Sequence, residues 1–189
     1  MKLTIEQILD QIRRDPQFTA NITEWRTLPA RPAVFAEYPD SIHPKLVQVL
    51  QQRGIKKLYS HQAQAIDHIL HGKNTAIVTP TASGKTLCYN IPVLHSVMKT
   101  RDARALYLFP TKALSQDQVS ELHEIVEAVS DHIDFDIKSY TFDGDTPVNA
   151  RKAIKSSGHI VVTNPDMLHT GILPHHTQWV KLFENLQYI

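Results

Sequence analysis

One eight-residue stretch, Thr79-Pro80-Thr81-Ala82-Ser83-Gly84-Lys85-Thr86, constrains this chain more than any other. A β-type run, Thr75-Ala76-Ile77-Val78, precedes it, and a helical pattern through Leu87, Ile91 and Leu94 follows. Strand, small-residue loop, Gly-Lys-Thr and helix together make a phosphate cradle. Backbone N–H groups of such a loop and of the helix N-terminus converge on one point, where an anion can sit. Lys85 adds a point charge toward the β- and γ-phosphates, and the Thr86 hydroxyl is placed to hold Mg²⁺. Thr81, Ala82, Ser83, Gly84, Lys85 and Thr86 are therefore the expected nucleotide-binding residues. Thr79 stands where the strict motif begins with Gly. An ordinary strand-to-helix turn with a solvated lysine and a capping threonine is the alternative. It does not account for Ala, Ser and Gly together ahead of Lys-Thr.

The chain has 189 residues, 42% of them hydrophobic, enough for one packed core with a small appendage. A formal charge of +1 provides no global basic field, so nucleic-acid binding has to come from local arrangement. One cysteine, Cys88, excludes an internal disulfide framework and a Cys-rich zinc site, and is compatible with a cytoplasmic location. No run approaches membrane-spanning length, and the N-terminus lacks a secretory apolar core. Eleven histidines are present, but neither sequence cluster of them carries acidic or Cys partners at zinc spacing.

Leu3, Ile5, Ile8, Leu9 and Ile12 recur at helical spacing, and Pro16 closes that helix. Pro29, Pro32, Pro39 and Pro44 make an extended connector, with Pro44 suited to the first turn of a helix ending near Gly54. Ser60 is positioned to cap a helix that buries Ile66, Ile69 and Leu70 and stops at Gly72. Strand patterns then fall at 75–79, 104–109, 135–140 and 159–163, alternating with helical patterns at 85–99, 113–129 and 147–156. Such alternation predicts a mainly parallel sheet with helices on both faces, a three-layer α/β domain. Every strand-to-helix turn then lies on one edge of the sheet, where ligands collect. The turns at 110–113, 141–147 and 163–166 are expected beside the cradle, presenting hydroxyls and helix N-termini to a second polyanion.

Read in order, these turns resemble the motifs of superfamily 2 helicases. Gln62, within Tyr59-Ser60-His61-Gln62, resembles the glutamine that reads adenine, and Thr81-Ala82-Ser83-Gly84-Lys85-Thr86 matches the superfamily's form of the cradle. Pro110-Thr111-Lys112-Ala113-Leu114 resembles motif Ia, Asp143-Gly144-Asp145-Thr146 the Gly-containing turn that follows, and Thr163-Asn164-Pro165-Asp166 motif Ib. The wording is most similar to the mitomycin-repair DNA helicases of the MrfA (YprA) type. The resemblance covers residues 54–189 and implies a RecA-like P-loop NTPase domain there, with 1–53 as a helical appendage and Pro-rich connector. It further implies ATP and Mg²⁺ as cofactors, DNA as partner, a second RecA-like domain, and 3′-to-5′ movement. The family's acidic box is expected after the strand beginning near Leu186, so the 189 residues read as part of a longer chain, and as a fragment that by itself binds ATP weakly without turning it over usefully.

Within that frame Lys85 and Thr86 are the expected catalytic residues, with Thr86 as metal ligand through the nucleotide. Tyr59 either packs on the base or belongs to the core. Pro110, Thr111, Lys112, Asp143, Gly144, Thr163, Asn164 and Asp166 are the expected DNA-contacting set. Asp166 is expected to fix its loop through backbone N–H bonds, and Gly144 to supply a positive φ. Arg151, Lys152 and Lys155 form a basic helical face, either solvated or near DNA. Two other readings remain: a free-standing P-loop kinase that uses Asp166 to hold Mg²⁺, and a non-catalytic nucleotide-binding fragment.

Overall fold

The computed structural model describes residues 3–30, 32–81 and 83–189, and only the backbone of Lys112 and Ala113. Ala82 and the Lys112 side chain, both expected site members, lie outside the described residues. The chain divides into two compact units between Ala33 and Val34.

The smaller unit contains helix α1 (Ile5–Arg14), begun by a reciprocal cap. Thr4 Oγ1 accepts from the Gln7 N–H at 3.3 Å, and Gln7 Oε1 accepts from the Thr4 N–H at 3.0 Å. Asp15 follows α1 and caps α2 (Pro16–Thr19), accepting from the Gln17 N–H at 2.8 Å. Arg13 lies 4.6 Å over the Trp25 ring.

In the larger unit, strand β1 (Phe35–Ala36) pairs antiparallel with β2 (Leu58–Tyr59). Between them runs helix α3 (Pro44–Gln52), with Pro44 in its first turn. Leu46 and Leu50 on α3, the helix expected from Pro44 to near Gly54, are fully buried, and residues 34–53 belong to this unit. Gly54 then turns the chain with φ +89°. Helix α4 (Ser60–Leu70) starts one residue earlier than a Ser60 cap would allow: Tyr59 is the N-cap, and the Gln62 side chain reaches back to its N–H. Ser60 instead donates its backbone N–H to Val34 O at 2.8 Å.

The central sheet comes from β3 (Arg104–Leu108), β4 (Ser139–Thr141), β5 (Ile160–Thr163) and β6 (Leu186–Tyr188), all parallel, in the order β4-β5-β3-β6. The joining helices are α5 (Lys85–Lys99), α6 (Lys112–Ser130) and α7 (Val148–Ser157). After β5 come α8 (Pro165–Met167), a π turn over Leu168–Ile172, a 3₁₀ turn over Leu173–Gln178, and α9 (Val180–Glu184). The period-2 side-chain alternation of a strand sorts the core into two halves. Ala105 and Tyr107 of β3 and Ile160 and Val162 of β5 face the cluster built by α3, α4, α5 and α6. Leu106 and Val161 face the other cluster, with Ile154, Phe142, Trp179 and Leu182. The Phe142 and Trp179 rings meet edge-on at 4.7 Å. The three-layer α/β arrangement is thus present.

The expected strand at 75–79 does not join the sheet. Residues 73–80 form neither helix nor ladder, yet Thr75, Ile77 and Thr79 are half-buried while Ala76, Val78 and Pro80 are exposed, the alternation of a strand. A cavity of about 410 Å³ is lined by Lys73, Thr75 and Ile77 of this segment and by Phe109 and Tyr188. Strand propensity sets backbone conformation, whereas a ladder needs a partner edge. The expected strand at 135–140 is likewise shorter, starting at Ser139.

Candidate nucleotide site and its polar edge

The loop ahead of α5 is held on two sides by different means. On one side, α4 grips its carbonyl groups. Gln62, only 3% exposed, donates through Nε2 to Gly84 O at 2.8 Å while its Oε1 accepts from the Tyr59 N–H at 2.8 Å. His61 Nε2 meets Ser83 O at 3.1 Å. Gly84 has φ +74°, and a Cβ built there would stand 2.6 Å from Gln62 Nε2. Glycine is therefore required twice, by the left-handed backbone and by the glutamine behind it.

On the other side the loop is held by its own lysine. Lys85 Nζ donates to Thr79 O at 2.9 Å and Pro80 O at 2.7 Å, and lies 3.3 Å from Thr79 Oγ1 and 3.4 Å from Ser83 Oγ. Thr79 Oγ1 and Ser83 Oγ meet at 2.6 Å. These neutral oxygens occupy the ammonium; a triphosphate offers anionic ones, and charge-assisted bonds are roughly twice as strong as neutral bonds. Thr86 Oγ1 donates to Gln118 Oε1 on α6 at 2.9 Å, and Tyr89 OH donates to the same oxygen.

Two cavities flank Gly84. One, of about 590 Å³, is lined by Phe35, Ile55, Lys57, Tyr59 and Gln62. Its aromatic wall is a ladder: Phe35 stacks on Tyr59 at 5.2 Å and 19°, and Tyr59 stacks on His61 at 5.8 Å and 9°. A flat heterocycle fits beside such a wall. The second cavity, of about 700 Å³, is lined by Thr81, Ser83, Lys85, Thr86, Gln118 and Glu121. Aromatic rings thus line the cavity on one side of the loop, and Lys85, hydroxyls, Gln118 and Glu121 that on the other. Cys88 is buried in α5, and burial pushes its thiol pKa up, as for an inert core residue.

The C-terminal ends of β3, β4 and β5 are tied into one edge. Phe109 N–H donates to Thr163 O at 2.9 Å and Phe142 N–H to Val162 O at 2.8 Å. Following Pro110, Thr111 caps α6, accepting from the Leu114 N–H at 3.3 Å. Thr163 belongs to this edge but does not present its hydroxyl: at 3% exposure it donates to Phe142 O at 2.7 Å. Asn164, rather than Asp166, fixes the last turn, accepting from the Met167 N–H at 2.8 Å. Asp166 is exposed and its carbonyl accepts from Thr170.

Gly144 does not have the positive φ expected of it. Asp143 makes the turn instead, its Oδ1 accepting from the Asp145 N–H at 3.0 Å and from Thr146 Oγ1 at 3.1 Å. Arg151 braces that turn, donating to Thr146 O at 3.0 Å and lying 5.4 Å over the Phe142 ring. Lys155 bonds Gln178 and lies 5.7 Å over Trp179. Of the basic face read from sequence, Lys152 alone is exposed.

Tyr59, Gln62 and the loop from Thr81 to Thr86 are brought together. Phe35, His61 and Gln118 join them without having been singled out in the sequence. Phe35 sits in a Pro-rich stretch that reads as linker, and its β1–β2 pairing is visible only in three dimensions. Gln118 lies two helical turns beyond Thr111, a spacing that puts both on one face of α6. Asp166 does not line the cavity around Lys85 and Thr86; the carboxylate there is Glu121. Among the described residues, no group of three or more His, Cys, Asp or Glu is arranged to hold a metal ion. No described helix is long and apolar enough to cross a membrane.

A mainly parallel three-layer domain with a Gly-Lys-Thr loop between an aromatic cavity and a hydroxyl-lined one is a nucleoside-triphosphate-binding core of the P-loop class. More narrowly, the chain belongs to the DEAD/DEAH box helicase family, whose profile matches residues 59–189. The ATP-dependent helicase YprA of Bacillus subtilis is 51% identical over 181 residues, covering 96% of this chain and 24% of that protein. The ATP-dependent helicase hrq1 of Schizosaccharomyces pombe is 39% identical over 188 residues, covering 97% of this chain and 17% of that protein. A crystal structure of the helicase MrfA bound to DNA and AMPPNP superposes with a TM-score of 0.85 at 47% identity, covering 97% of this chain and 25% of that one. The chain therefore spans a quarter or less of the length of these relatives.

Proposed function

We propose that residues 34–189 are the ATP-binding motor core of a DNA helicase that works in repair and moves 3′ to 5′, with DNA held along the edge formed by Thr111, Asp143 and Asn164. The observation that carries this reading is the placement of Gly84-Lys85-Thr86 between the Phe35–Tyr59 wall and the cavity of Gln118 and Glu121. The named relatives are ATP-dependent helicases, and the MrfA structures contain DNA and a nucleotide analogue, which supports the same assignment. Lys85 exchanges its loop oxygens for β- and γ-phosphate oxygens, and Gln62 and Tyr59 line the base side. The residues fit Mg²⁺: Thr86 supplies a hard oxygen, with Glu121 on the same cavity wall. Thr86 would hold Mg²⁺ beside the nucleotide, where such an ion would supply charge to offset the phosphates. Hydrolysis and unwinding belong, on this reading, to a chain of the relatives' length that includes a second RecA-like domain. The kinase alternative loses support because Asp166 lies away from Thr86, outside the Lys85 cavity.

The experiment is a binding titration with a fluorescent non-hydrolysable ATP analogue, with and without single-stranded DNA. The parent chain is expected to bind nucleotide, and Lys85→Ala to lose at least tenfold. DNA affinity is expected to fall steeply with salt, as for phosphate-dominated contacts. Nucleotide binding indifferent to Lys85→Ala refutes the site.

A further inference from the structure

Gln118 has no role in the reading above, yet it is where the phosphate side of the site is anchored to α6. Its Oε1 accepts two hydroxyl hydrogens, from Thr86 at 2.9 Å and from Tyr89. All three side chains are partly buried, and Thr86, Tyr89 and Gln118 line the same cavity as Lys85. A hydroxyl has one hydrogen and two lone pairs. With its hydrogen committed to Gln118, Thr86 Oγ1 can still act as an oxygen donor through a lone pair, the Tyr89 hydroxyl being its other polar neighbour. Were the amide turned the other way, its NH₂ group would donate onto Thr86 and take up a lone pair. In the observed arrangement Tyr89 donates to the same Oε1, so two hydroxyl hydrogens meet one acceptor.

We propose that Gln118 is a positioning residue for the divalent cation that accompanies the nucleotide, acting through the Thr86 hydroxyl, with Tyr89 donating to the same amide oxygen. This inference rests on the nucleotide-binding reading. Gln118 touches neither metal nor nucleotide: it fixes the orientation of a ligand, as outer-shell partners of metal sites do, and their loss typically costs about 10–100-fold in metal affinity or activity. It also places this ligand's orientation under the control of α6, the helix that Thr111 caps at the polar edge.

The test is the affinity of a fluorescent non-hydrolysable ATP analogue, measured with Mg²⁺ and again with EDTA, together with Mg²⁺ titrations at saturating analogue. Gln118→Leu is expected to raise the Mg²⁺ half-saturation about 10–100-fold while leaving the affinity in EDTA within about twofold. Gln118→Glu, which keeps an acceptor oxygen and cannot present a donor, is expected to retain the metal dependence of the parent. Tyr89→Phe, which keeps the ring and removes the second hydroxyl on Oε1, is expected to lie between. Equal loss with and without Mg²⁺ in Gln118→Leu and Tyr89→Phe marks a merely structural role and overturns the proposal; so does a metal dependence unchanged in both. Absence of nucleotide binding by the parent chain in either condition refutes the nucleotide reading, and this inference with it.

Discussion

The contact between Gln62 and Gly84 yields a coupling energy that a double-mutant cycle can measure. Gly84→Ala places a methyl group at φ +74°, where a non-glycine residue costs about 1–2 kcal/mol. The same methyl stands 2.6 Å from Gln62 Nε2, so the glutamine must leave. Its departure breaks the part-buried bond to Gly84 O and leaves the donor and the acceptor unpaired, about 1–3 kcal/mol more. Gly84→Ala is therefore expected to destabilise the larger unit by about 2–5 kcal/mol. Gln62→Ala alone removes the bonds to Gly84 O and to the Tyr59 N–H, for a loss of about 2–4 kcal/mol. In a Gln62→Ala background the new methyl has no glutamine to displace, so Gly84→Ala then costs only the backbone part, about 1–2 kcal/mol. The two losses are thus sub-additive by about 1–3 kcal/mol. Urea unfolding followed by tryptophan fluorescence reads this directly. A Trp25→Phe background leaves the fully buried Trp179 as sole reporter on the larger unit. Losses that add to within about 0.5 kcal/mol refute the reasoning, because they show that the glutamine does not stand behind this glycine.

Three further outcomes follow from buried groups. His159 is 6% exposed, accepts from the Lys138 N–H at 2.9 Å, and is held by burial, with help from Arg104, at a pKa of about 4. Its folded pKa is depressed below the ordinary 6.5, so its contribution is complete above 6.5 and is lost as pH falls toward 4. Urea midpoints should record a loss of about 3 kcal/mol across that window, and His159→Asn, which retains an acceptor, should flatten it. Thr163→Val should cost about 1–3 kcal/mol by stranding the Phe142 carbonyl, yet leave the salt slope of DNA binding unchanged, since this hydroxyl faces the core. Trp179→Ala should cost about 3–5 kcal/mol in urea unfolding followed by circular dichroism, since the variant removes the fluorescent reporter; its ring is fully buried against Phe142.

The strand–helix alternation after residue 100 was legible because those elements carry their own signals. Leu106, Val161 and Val162 sit in short apolar runs, and the long period of α6 is ended by exposed polar residues. The cradle was legible because Gly-Lys-Thr has a fixed relation to its helix. What escaped the sequence depends on partners. Thr75 to Thr79 has every local mark of a strand, but a ladder is a relation between two segments. Gly144 looked like the turn-forming residue, while the side chain of its neighbour Asp143 performs the work and leaves glycine no special φ. Thr163 reads as a hydroxyl at a strand end, and only β4 alongside shows that it points at a carbonyl. Phe35 enters the site through the pairing of two two-residue strands, too short for periodicity to register.

The loop before α5 is built in two halves with different freedom, and that difference decides which half a nucleotide can rearrange. Ser83 and Gly84 are fastened through their carbonyls to His61 and Gln62, which belong to a helix with Ala65 and Ile66 in the core. Thr79 and Pro80 are bonded, among the described residues, to Lys85 and Ser83, both members of the same loop-and-helix start. Breaking the first set exposes unpaired groups beside a buried glutamine; breaking the second exchanges neutral oxygens around an ammonium for phosphate oxygens. Opening should therefore pivot about 83–84, with 79–81 as the moving part. Amide exchange tests this without nucleotide: Gln62→Ala should speed exchange at 84–86 and leave Ile77 and Val78 unchanged. If both halves accelerate together, the loop moves as one piece and α4 is not its anchor.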